Sequence, residues 1–302
     1  MHVRPTDVQT APRRSRRRSA SQVIGLLAAG TALSACGAAG AQGELGNGYL
    51  PHGVTENSQR VETLWIYAWI AALAVGALVL ALAFWCVVAY RRKKGDEELP
   101  LQLQYNVPLE ILYTVVPMFM IAVLFYWTAK DQNALMDTTA EPDVTINVVG
   151  KQWSWDFNYV DADVHESGTQ AQLTGEPGVE EELPTLYLPV DKRVEFQLTA
   201  RDVIHSFWVP QFLQKLDMMP GRVNTFQVVP TEEGTFAGKC AELCGAYHSQ
   251  MLFNVKVVDQ ATYDAHLEDL RKAGNTGLLG NDLNREGIVE KDEHLLSENE
   301  GK

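Results

Sequence analysis

Basic residues and cysteines are both scarce in this sequence of 302 residues. It contains 25 Lys and Arg against 38 Asp and Glu, which gives a formal net charge of −13 at pH 7. Nucleic-acid binding needs a basic face, so this charge balance argues against a nucleic-acid partner. Four cysteines are too few for a small fold that disulfides hold together. No internal repeat is evident, and the length leaves room for two or three segments.

The N-terminus has the pattern of a processing signal. Five arginines between positions 13 and 18 precede a short apolar stretch over residues 23–33. The run Leu33-Ser34-Ala35-Cys36-Gly37 follows, and small residues before a Cys at the end of an apolar stretch resemble a bacterial lipobox. We predict a signal peptide over residues 1–35, with Cys36 lipidated as the mature N-terminus. An ordinary signal peptide, in which Cys36 is incidental, is the alternative.

Two long apolar runs predict a transmembrane hairpin over residues 61–130. The first span, about 64–90, has 27 positions without a charge, and the second covers about 109–129. Four consecutive basic residues, 91–94, mark the loop 91–108 as cytoplasmic by the positive-inside rule. The expected location is therefore the bacterial cell membrane, in contact with its lipids. The N-terminal segment 36–60, the C-terminus and the domain after the hairpin would lie on the extracytoplasmic side.

After the hairpin, apolar and polar residues alternate with a period of two. Val144–Val148, Val194–Leu198 and Phe253–Val257 have this pattern, and Gly and Pro residues separate such runs. The sequence therefore predicts an all-β domain over residues 140–260, arranged as an antiparallel sandwich or barrel.

Three segments of the C-terminal half are predicted to lie outside this sandwich core. Residues 161–183 are acidic and contain glycine, so we interpret them as a surface insertion. Within the last part, 261–302, a helix is predicted over 260–273, and the polar, acidic residues 274–302 are predicted to be disordered.

Soft metal-binding side chains are concentrated in one short stretch. Cys240, Cys244, His248 and Met251 together offer thiolate, imidazole and thioether, a set that suits copper better than magnesium or calcium. A single-copper electron-transfer site needs one Cys, two His and a weak Met, so a second His must come from elsewhere, and His205 is the best candidate. The additional Cys is informative, because two thiolates can bridge two copper ions.

Two other interpretations of this stretch remain open. Cys240 and Cys244 could form a disulfide in an oxidising compartment, which would leave His248 and Met251 unexplained. The set could also hold zinc, although zinc sites rarely recruit Met.

Longer motifs accompany these residues between positions 60 and 258. They are Gln152-Trp153-Ser154-Trp155, Arg201-Asp202-Val203-Ile204-His205-Ser206-Phe207, Met219-Pro220-Gly221-Arg222 and the Cys-x-Glu-x-Cys-Gly-x-x-His-x-x-Met run from Cys240 to Met251. With the two-span hairpin, the chain resembles subunit two of bacterial cytochrome c oxidases, which carries the binuclear copper A centre. The resemblance implies a cupredoxin-like Greek-key fold after the hairpin.

The same resemblance implies the function and the partners. Electrons from a soluble or membrane-bound cytochrome c would enter at the copper pair. They would pass to haem in subunit one, where oxygen is reduced to water with proton translocation, in a complex that contains further oxidase subunits. This chain alone would catalyse nothing.

Specific site residues follow from the resemblance as well. It implies that His205, Cys240, Cys244, His248, Met251 and the backbone carbonyl of Glu242 ligate the copper pair. The Glu242 side chain would reach a magnesium ion shared with subunit one.

Further positions match family sites outside the copper ligands. Trp153 matches the electron-entry tryptophan, although its alternation with Trp155 also fits a half-buried strand. Glu110, seven residues before Pro117, matches a glutamate at a proton-uptake channel, although an acid in a first helical turn also favours the helix dipole. Asp217 and Arg222 match positions near subunit one, with a structural or a proton-exit role.

The chain also departs from the family pattern. Lys151 stands where relatives often have His, and Ser154 stands where an aromatic residue is common. Together with the insertion 161–183, these departures lead us to expect an altered surface for docking of the electron donor.

The main alternative function is a membrane-tethered copper chaperone or sensor. Such proteins usually need exposed, exchangeable ligands and rarely have a two-span hairpin. Quinol-oxidase relatives share the hairpin and sandwich but lack the copper ligands. Nitrous oxide reductases have a similar copper motif after a large domain that has no counterpart here.

Overall fold

The computed structural model describes residues 46–92, 95, 104–171 and 183–280. The chain divides into an N-terminal unit, residues 1–49, and a second unit, residues 50–302. The predicted signal peptide and Cys36 lie outside the described residues. All helices and strands with stated bounds belong to the second unit.

Two long helices form the predicted hairpin. Helix α1 is Ser58–Ala89 and helix α2 is Val107–Leu135. Among the described residues, these two helices are long and apolar enough to cross a membrane. Their large apolar side chains are exposed along almost the whole length, for example Leu80 at 71% and Phe125 at 71%. Such extensive apolar surface needs lipid or protein around it, as membrane-spanning helices have.

Within the described ranges, ten strands form two five-stranded sheets. Their bounds are β1 Val144–Lys151, β2 Ser154–Tyr159, β3 Val164–Ser167, β4 Thr185–Pro189, β5 Val194–Ala200, β6 His205–Val209, β7 Gln214–Met218, β8 Asn224–Val228, β9 Gly234–Cys240 and β10 Leu252–Val258. The first sheet has the order β3-β2-β1-β5-β8 and the second the order β4-β10-β9-β6-β7. This is the cupredoxin-like sandwich that the resemblance implied.

The prediction of purely antiparallel sheets is wrong. β1 pairs with β5 in parallel, and β10 pairs with β4 in parallel, whereas the other pairings in the described residues are antiparallel. Alternation along one strand reports which side is buried, but it contains no information about the direction of the neighbouring strand. The chain crosses between the two sheets after β3, β4, β5, β7 and β8, so strands that are distant in the sequence become neighbours in each sheet.

Aromatic side chains from both sheets meet in the core. Phe253 of the second sheet lies 4.9 Å from Trp155 and 5.5 Å from Phe157 between ring centroids. Phe207 of the second sheet lies 5.3 Å from Phe196 of the first. These offset and edge-to-face contacts are favourable arrangements for aromatic pairs, and they hold the two sheets together.

Strand β2 is buried on both faces, so the prediction of a half-buried strand is wrong. Its polar side chains are as inaccessible as its aromatic ones, with Asp156 at 0% and Asn158 at 1% exposure. Asn158 lies under a short C-terminal segment, residues 275–280, which we call the strap, and Asp156 is paired with Lys151 and Arg201. Because the strap comes from more than a hundred residues away in the sequence, local alternation could not reveal it.

The strap follows the C-terminal helix α3, Gln260–Lys272. The backbone of Leu279 makes two hydrogen bonds with the Asn158 side chain, at 2.8 and 3.0 Å. The carbonyl of Gly280 accepts from Arg201 at 2.5 Å. The prediction of disorder from residue 274 is therefore wrong for 274–280, while 281–302 lie outside the described residues.

The segment 161–183 also differs from its interpretation as a surface insertion. Its first part contains strand β3, which pairs with β2 and extends the first sheet. Residues 172–182 lie outside the part of the chain that is described.

The residues just before helix α1 pack against the β domain. In this segment, residues 51–57, Val54 is 2% exposed and donates its backbone N–H to the carbonyl of Gln211 at 3.0 Å. Glu56 accepts two hydrogen bonds from the Arg193 guanidinium, at 2.9 and 3.2 Å. The segment predicted to be a separate N-terminal stretch is therefore joined to the sandwich at this point.

Candidate metal centre

The candidate site lies in the loop between β9 and β10. Cys240 ends β9 and donates its backbone N–H to the carbonyl of Met251 at 3.0 Å, which closes the loop. Gly245 has a φ of +130°, a backbone conformation that favours glycine, and lets the chain turn back. A single 3₁₀ turn, His248–Gln250, then leads into β10. The loop therefore returns every sulfur and imidazole donor to the same end of the sandwich.

Five distances from the two cysteine sulfurs define the donor cluster. The Sγ atoms of Cys240 and Cys244 are 3.8 Å apart. Cys244 Sγ lies 3.5 Å from Nδ1 of His248 and 3.8 Å from Sδ of Met251. Cys240 Sγ lies 3.8 Å from Nδ1 of His205, and the carbonyl oxygen of Glu242 is 3.2 Å from the same sulfur. The structure thus brings all six predicted ligand residues together.

The spacing of these donors fits a metal. Bond lengths of about 2.3 Å to sulfur and about 2.0–2.1 Å to nitrogen, at tetrahedral angles, place two bound sulfurs about 3.8 Å apart and a bound sulfur and nitrogen about 3.5 Å apart. The sulfur atoms of a disulfide lie about 2.05 Å apart, so a Cys240–Cys244 bridge does not fit. Both thiols are free and buried. The soft donors, including the thioether of Met251, favour copper over zinc.

A carboxylate orients the histidine that the second sheet contributes. His205 begins β6, is fully buried, and its Nε2 lies 2.8 Å from Oδ1 of Asp202. Because a carboxylate only accepts, the ring proton is on Nε2, and the lone pair of Nδ1 faces Cys240. Metal-bound histidines are commonly held in this way by a hydrogen bond to the other ring nitrogen.

The same pair influences the pKa values of both residues. Burial opposes ionisation of Asp202, but hydrogen bonds from His205 and from the backbone N–H groups of Gln152 and Val203 outweigh it and lower the pKa of Asp202. Burial likewise acts against the charged form of His205, but the hydrogen bond to Asp202 and the contact with Cys240 raise the pKa of His205. Asp202 is therefore an anion that fixes the ring.

The two thiols share a hydrogen bond that makes one of them acidic. The contact with Cys244 lowers the pKa of Cys240 to about 3, although burial acts in the opposite direction. The same contact, together with burial, raises the pKa of Cys244 above its usual range. One sulfur of the pair is therefore a thiolate at neutral pH, which is the form that binds metals.

Trp153 lies directly against the metal-binding loop. Its ring is half-buried and meets Tyr247 edge to face at 5.1 Å between centroids. A Cβ on Gly245 would be 3.0 Å from the Trp153 ring, so the indole packs on the residue next to Cys244. Its buried Nε1 has no hydrogen-bond partner within the described part of the chain. The predicted electron-entry residue therefore packs against the loop that contains Cys244 and His248.

The two departures from the family pattern do not lie on an exposed docking surface. The Lys151 side chain is 13% exposed and donates to Oδ1 of the buried Asp156 at 2.6 Å. Arg201 approaches the other oxygen of Asp156 at 3.2 Å. Ser154 is 2% exposed. Lys151 therefore belongs to a buried polar cluster with Asp156 and Arg201, and Ser154 is buried on the neighbouring strand. An altered docking surface for the electron donor stays a prediction.

Glu110 lies in the first turn of helix α2 and takes part in a reciprocal capping arrangement with Asn106. Asn106 accepts a hydrogen bond from the backbone N–H of Leu109 at 3.3 Å, and Glu110 accepts one from the backbone N–H of Asn106 at 3.0 Å. This arrangement satisfies two N–H groups that the helix itself leaves unpaired. It gives Glu110 a structural role, and proton uptake at this residue stays a prediction.

The remaining predicted positions lie away from the donor cluster. The Asp217 carboxylate forms a long ion pair with Lys215 at 4.0 Å. The backbone carbonyl of Asp217 accepts a hydrogen bond from the Asn224 side chain at 2.6 Å. Arg222 is exposed in the turn before β8. Their roles at an interface with another subunit stay predictions.

Sequence reasoning gave no role to three residues that shape the site. Asp202 orients His205, Gln152 donates to the carbonyl of Cys244 at 2.6 Å, and Gly150 makes room for the His205 ring. For Asp202, the signal was a carboxylate three residues before a candidate ligand. The other two contacts join segments more than fifty residues apart, and no local pattern indicates them.

The fold and the donor set define a membrane-anchored, copper-binding protein with a cupredoxin-like domain. The family model for the periplasmic domain of cytochrome c oxidase subunit II matches residues 144–258. The probable cytochrome c oxidase subunit 2 of Streptomyces avermitilis is 47% identical over 263 residues, which cover 76% of this chain and 81% of that protein. The cytochrome c oxidase subunit 2 of Mycobacterium bovis is 38% identical over 272 residues, which cover 74% of this chain and 75% of that protein.

A solved structure is similar as well. The periplasmic domain of subunit II of cytochrome oxidase from Bradyrhizobium japonicum is 33% identical, covers 45% of this chain and 99% of that domain, and has a TM-score of 0.41. The sequence comparisons over most of the chain decide the assignment. The chain belongs to the cytochrome c oxidase subunit II family, whose members are parts of an oxidoreductase complex. It is a membrane protein with an extracytoplasmic β domain.

Proposed function

We propose that this chain is the electron-accepting subunit of a terminal respiratory oxidase, with a binuclear copper A centre as its cofactor. It accepts electrons from cytochrome c and passes them to haem in subunit one, where oxygen is reduced to water with proton translocation. The observation that carries the proposal is the buried donor cluster with a Cys240–Cys244 sulfur distance of 3.8 Å. A copper pair bound there supplies a reversible one-electron carrier.

The proposed copper ligands come from the β9–β10 loop and from the start of β6, and most of them are buried. His205, Cys240, Cys244, His248, Met251 and the Glu242 carbonyl would supply the donors that hold a copper pair. Cys240, Cys244, Met251 and His205 are each less than 5% exposed, which supports a site that keeps its metal. Copper chaperones and sensors, the alternative class, need ligands that a partner can reach. Burial of the sulfur donors therefore favours electron transfer over copper delivery.

Trp153 is the proposed entry point for electrons. It packs on the loop residue next to Cys244, so an electron arriving at its ring has a short path to a bridging thiolate. The exposed Glu242 side chain is the proposed ligand of a magnesium ion shared with subunit one.

Glu110 is the proposed start of a proton-uptake path, in addition to its role at the start of α2.

We further propose the domain organisation that the sequence indicated. Residues 1–35 are a signal peptide, Cys36 is a lipidated N-terminus, 61–130 form the hairpin with a cytoplasmic loop 91–108, and 140–260 form the copper domain. Both termini then lie outside the cytoplasm. Mass spectrometry of the mature N-terminus tests the proposed lipidation of Cys36. A mature chain with an unmodified N-terminal residue upstream of Cys36 would contradict this proposal.

The experiment for the main proposal measures copper in the full-length chain, purified in detergent and reconstituted with copper. Two coppers per chain, with a paramagnetic resonance spectrum of one electron shared between two copper nuclei, are expected. A single-copper spectrum, or Cu(I) that a chelator removes readily, would contradict the oxidase proposal and favour a copper carrier.

A further inference from the structure

Gln152 makes hydrogen bonds to both sides of the donor cluster. Its side-chain Nε2 donates to the backbone carbonyl of Cys244 at 2.6 Å. Its backbone N–H donates to Oδ2 of Asp202 at 2.7 Å, and Oδ1 of that carboxylate holds Nε2 of His205 at 2.8 Å. One residue outside the donor set is thus connected to a ligand of the β9–β10 loop and to the ligand on β6.

The packing around Gln152 leaves the loop little freedom at this point. A Cβ on Gly245 would lie 3.1 Å from Nε2 of Gln152 and 3.0 Å from the ring of Trp153. The Cys244–Gly245 backbone therefore rests on the turn between β1 and β2. On its other side, the carbonyl of Gln152 accepts from Nε2 of Gln170 at 2.8 Å, so its backbone is held as well.

Cys244 has a central position in the donor cluster, as Cys240 has. Its sulfur lies within 3.8 Å of three other donor atoms, on Cys240, His248 and Met251. A small displacement of its backbone changes all three distances together. The side chain of Gln152 is the donor that the structure gives to the Cys244 carbonyl, so it is well placed to prevent such a displacement.

We propose that Gln152 is a positioning residue of the metal centre, which fixes Cys244 through its side chain and His205 through Asp202. This proposal rests on the proposed function, because it presupposes a copper pair. Gln152 does not touch the metal. It limits how far the two sides of the cluster separate, and therefore how easily the metal escapes and how evenly the two thiolates bridge.

The test replaces the amide donor in the full-length chain. Gln152→Met is similar in length and cannot donate, and Gln152→Glu is nearly isosteric but presents an acceptor to the Cys244 carbonyl. Gln170→Ala is the matched control, because it removes the hydrogen bond to the Gln152 carbonyl and leaves the bonds to Cys244 and Asp202 in place. Each protein is reconstituted with copper, and the rate of copper loss to a chelator, the paramagnetic resonance spectrum and the reduction potential are measured.

We expect both Gln152 variants to lose copper at least about tenfold faster than the wild type, as mutation of residues that orient metal ligands commonly does. Their spectra should show a less even sharing of the electron, and their potentials should shift. Gln170→Ala should stay within about twofold of the wild type. Thermal unfolding of the metal-free proteins should be similar for all four.

Three outcomes would overturn the proposal. Wild-type rates and spectra in Gln152→Met would show that the hydrogen bond positions nothing. A Gln152→Met chain that fails to fold without metal would assign the residue a general structural role instead. A wild-type chain that binds no copper pair would refute this inference together with the proposed function. Either of the first two outcomes, with a wild type that does bind a copper pair, refutes only the inference.

Discussion

At the scale of single residues, the candidate ligands are held by neighbours that bind no metal themselves. Asp202 fixes the ring of His205, and Nε1 of Trp155 donates to the carbonyl of Met251 at 3.3 Å. The backbone N–H of Ala241 donates to the carbonyl of Ser206 at 3.1 Å. These contacts connect the loop to the rigid sandwich. The sandwich therefore restrains the candidate donors through their neighbours as well as through the loop itself.

Met251→Leu is expected to leave copper bound and to change its reduction potential. Met251 is fully buried, and leucine has a similar volume, so packing is largely kept. A thioether is a weak axial ligand that tunes the metal more than it anchors it. Potentiometric titration followed by paramagnetic resonance measures the shift. Complete loss of metal in this variant would show that Met251 anchors the site.

Gly150→Ala is expected to weaken the site through His205. A Cβ on Gly150 would lie 3.0–3.2 Å from three atoms of that buried side chain, so the ring must move. Overpacking of this kind costs about 1–3 kcal/mol of stability, and here it also displaces Nδ1. Copper occupancy after dialysis and thermal unfolding are the measurements. Gly76→Ala in α1, where no atom lies within 4 Å, is the control, and equal effects of the two changes would contradict the assignment.

At the scale of elements, the strap completes the outer face of the first sheet. Besides its contacts with Asn158 and Arg201, it is held at strand β3, where His165 donates its backbone N–H to the carbonyl of Asn275 at 3.1 Å. Arg201, which donates to the carbonyl of Gly280, is also paired with the fully buried Asp156, as Lys151 is. Buried polar groups are costly unless they are hydrogen-bonded, so the strap has a stabilising role.

A chain that ends at Gly274 is expected to be less stable than one that ends at Gly280. The shorter chain leaves the buried Asn158 amide without its partners on Leu279, and an unsatisfied buried group costs about 1–3 kcal/mol. Thermal unfolding of the two metal-free chains measures the difference. Identical unfolding temperatures would show that the strap contributes nothing to the domain.

The start of helix α3 gives a pH-dependent contribution to stability. Asp259 caps the helix by accepting from the backbone N–H of Thr262 at 2.8 Å and from its hydroxyl at 3.0 Å. The backbone hydrogen bond, followed by that from the hydroxyl, lowers the pKa of Asp259 below the ordinary value of an aspartate, 3.8. The ionised form is thus favoured in the folded state, and its contribution is present above pH 3.8 and is lost as the pH falls through the folded pKa.

Asp259→Asn is therefore expected to keep the cap and to remove this titration, whereas Asp259→Ala removes both. Thermal unfolding between pH 6 and pH 2.5 should show the wild type approaching Asp259→Ala at the acidic end. A constant difference between these two proteins over that range would contradict the assignment.

At the scale of the whole molecule, the sandwich holds the membrane hairpin from two sides. Residues 51–57, which precede α1, pack against it through Val54 and Glu56. After α2, the carbonyl of Leu135 accepts a hydrogen bond from Gln214 of β7 at 3.3 Å. Both ends of the hairpin are thus connected to the β domain, which limits how far the metal centre moves relative to the membrane.

Val54→Ala is expected to loosen the first of these connections. Val54 is 2% exposed, and burial of a valine side chain contributes about 1.5–3 kcal/mol. Limited proteolysis should then cleave residues 51–57 sooner than in the wild type, with a lower unfolding temperature. Val223→Ala, at a valine that is 55% exposed, is the control. Unchanged proteolysis in Val54→Ala would show that the segment is held by other contacts.

The sequence by itself determined the hairpin, the strands with clear alternation and the donor set. These features depend on local properties: runs of uncharged residues, a period of two, and soft donors concentrated between Cys240 and Met251. His205 was also identified, because a copper site needs a second imidazole and few histidines lie in the β region. The resemblance to a known family supplied Glu242 and Trp153, which no local pattern indicates.

Only the tertiary structure decided how distant segments meet. It placed β1 beside β5 and β4 beside β10 in parallel, covered Asn158 with the strap, and directed Lys151 into a buried cluster rather than onto the surface. It also brought Gln152 to the carbonyl of Cys244, 92 positions further along the chain. Alternation records whether a side chain is buried but does not record which segment buries it, because that depends on the packing of the complete sandwich.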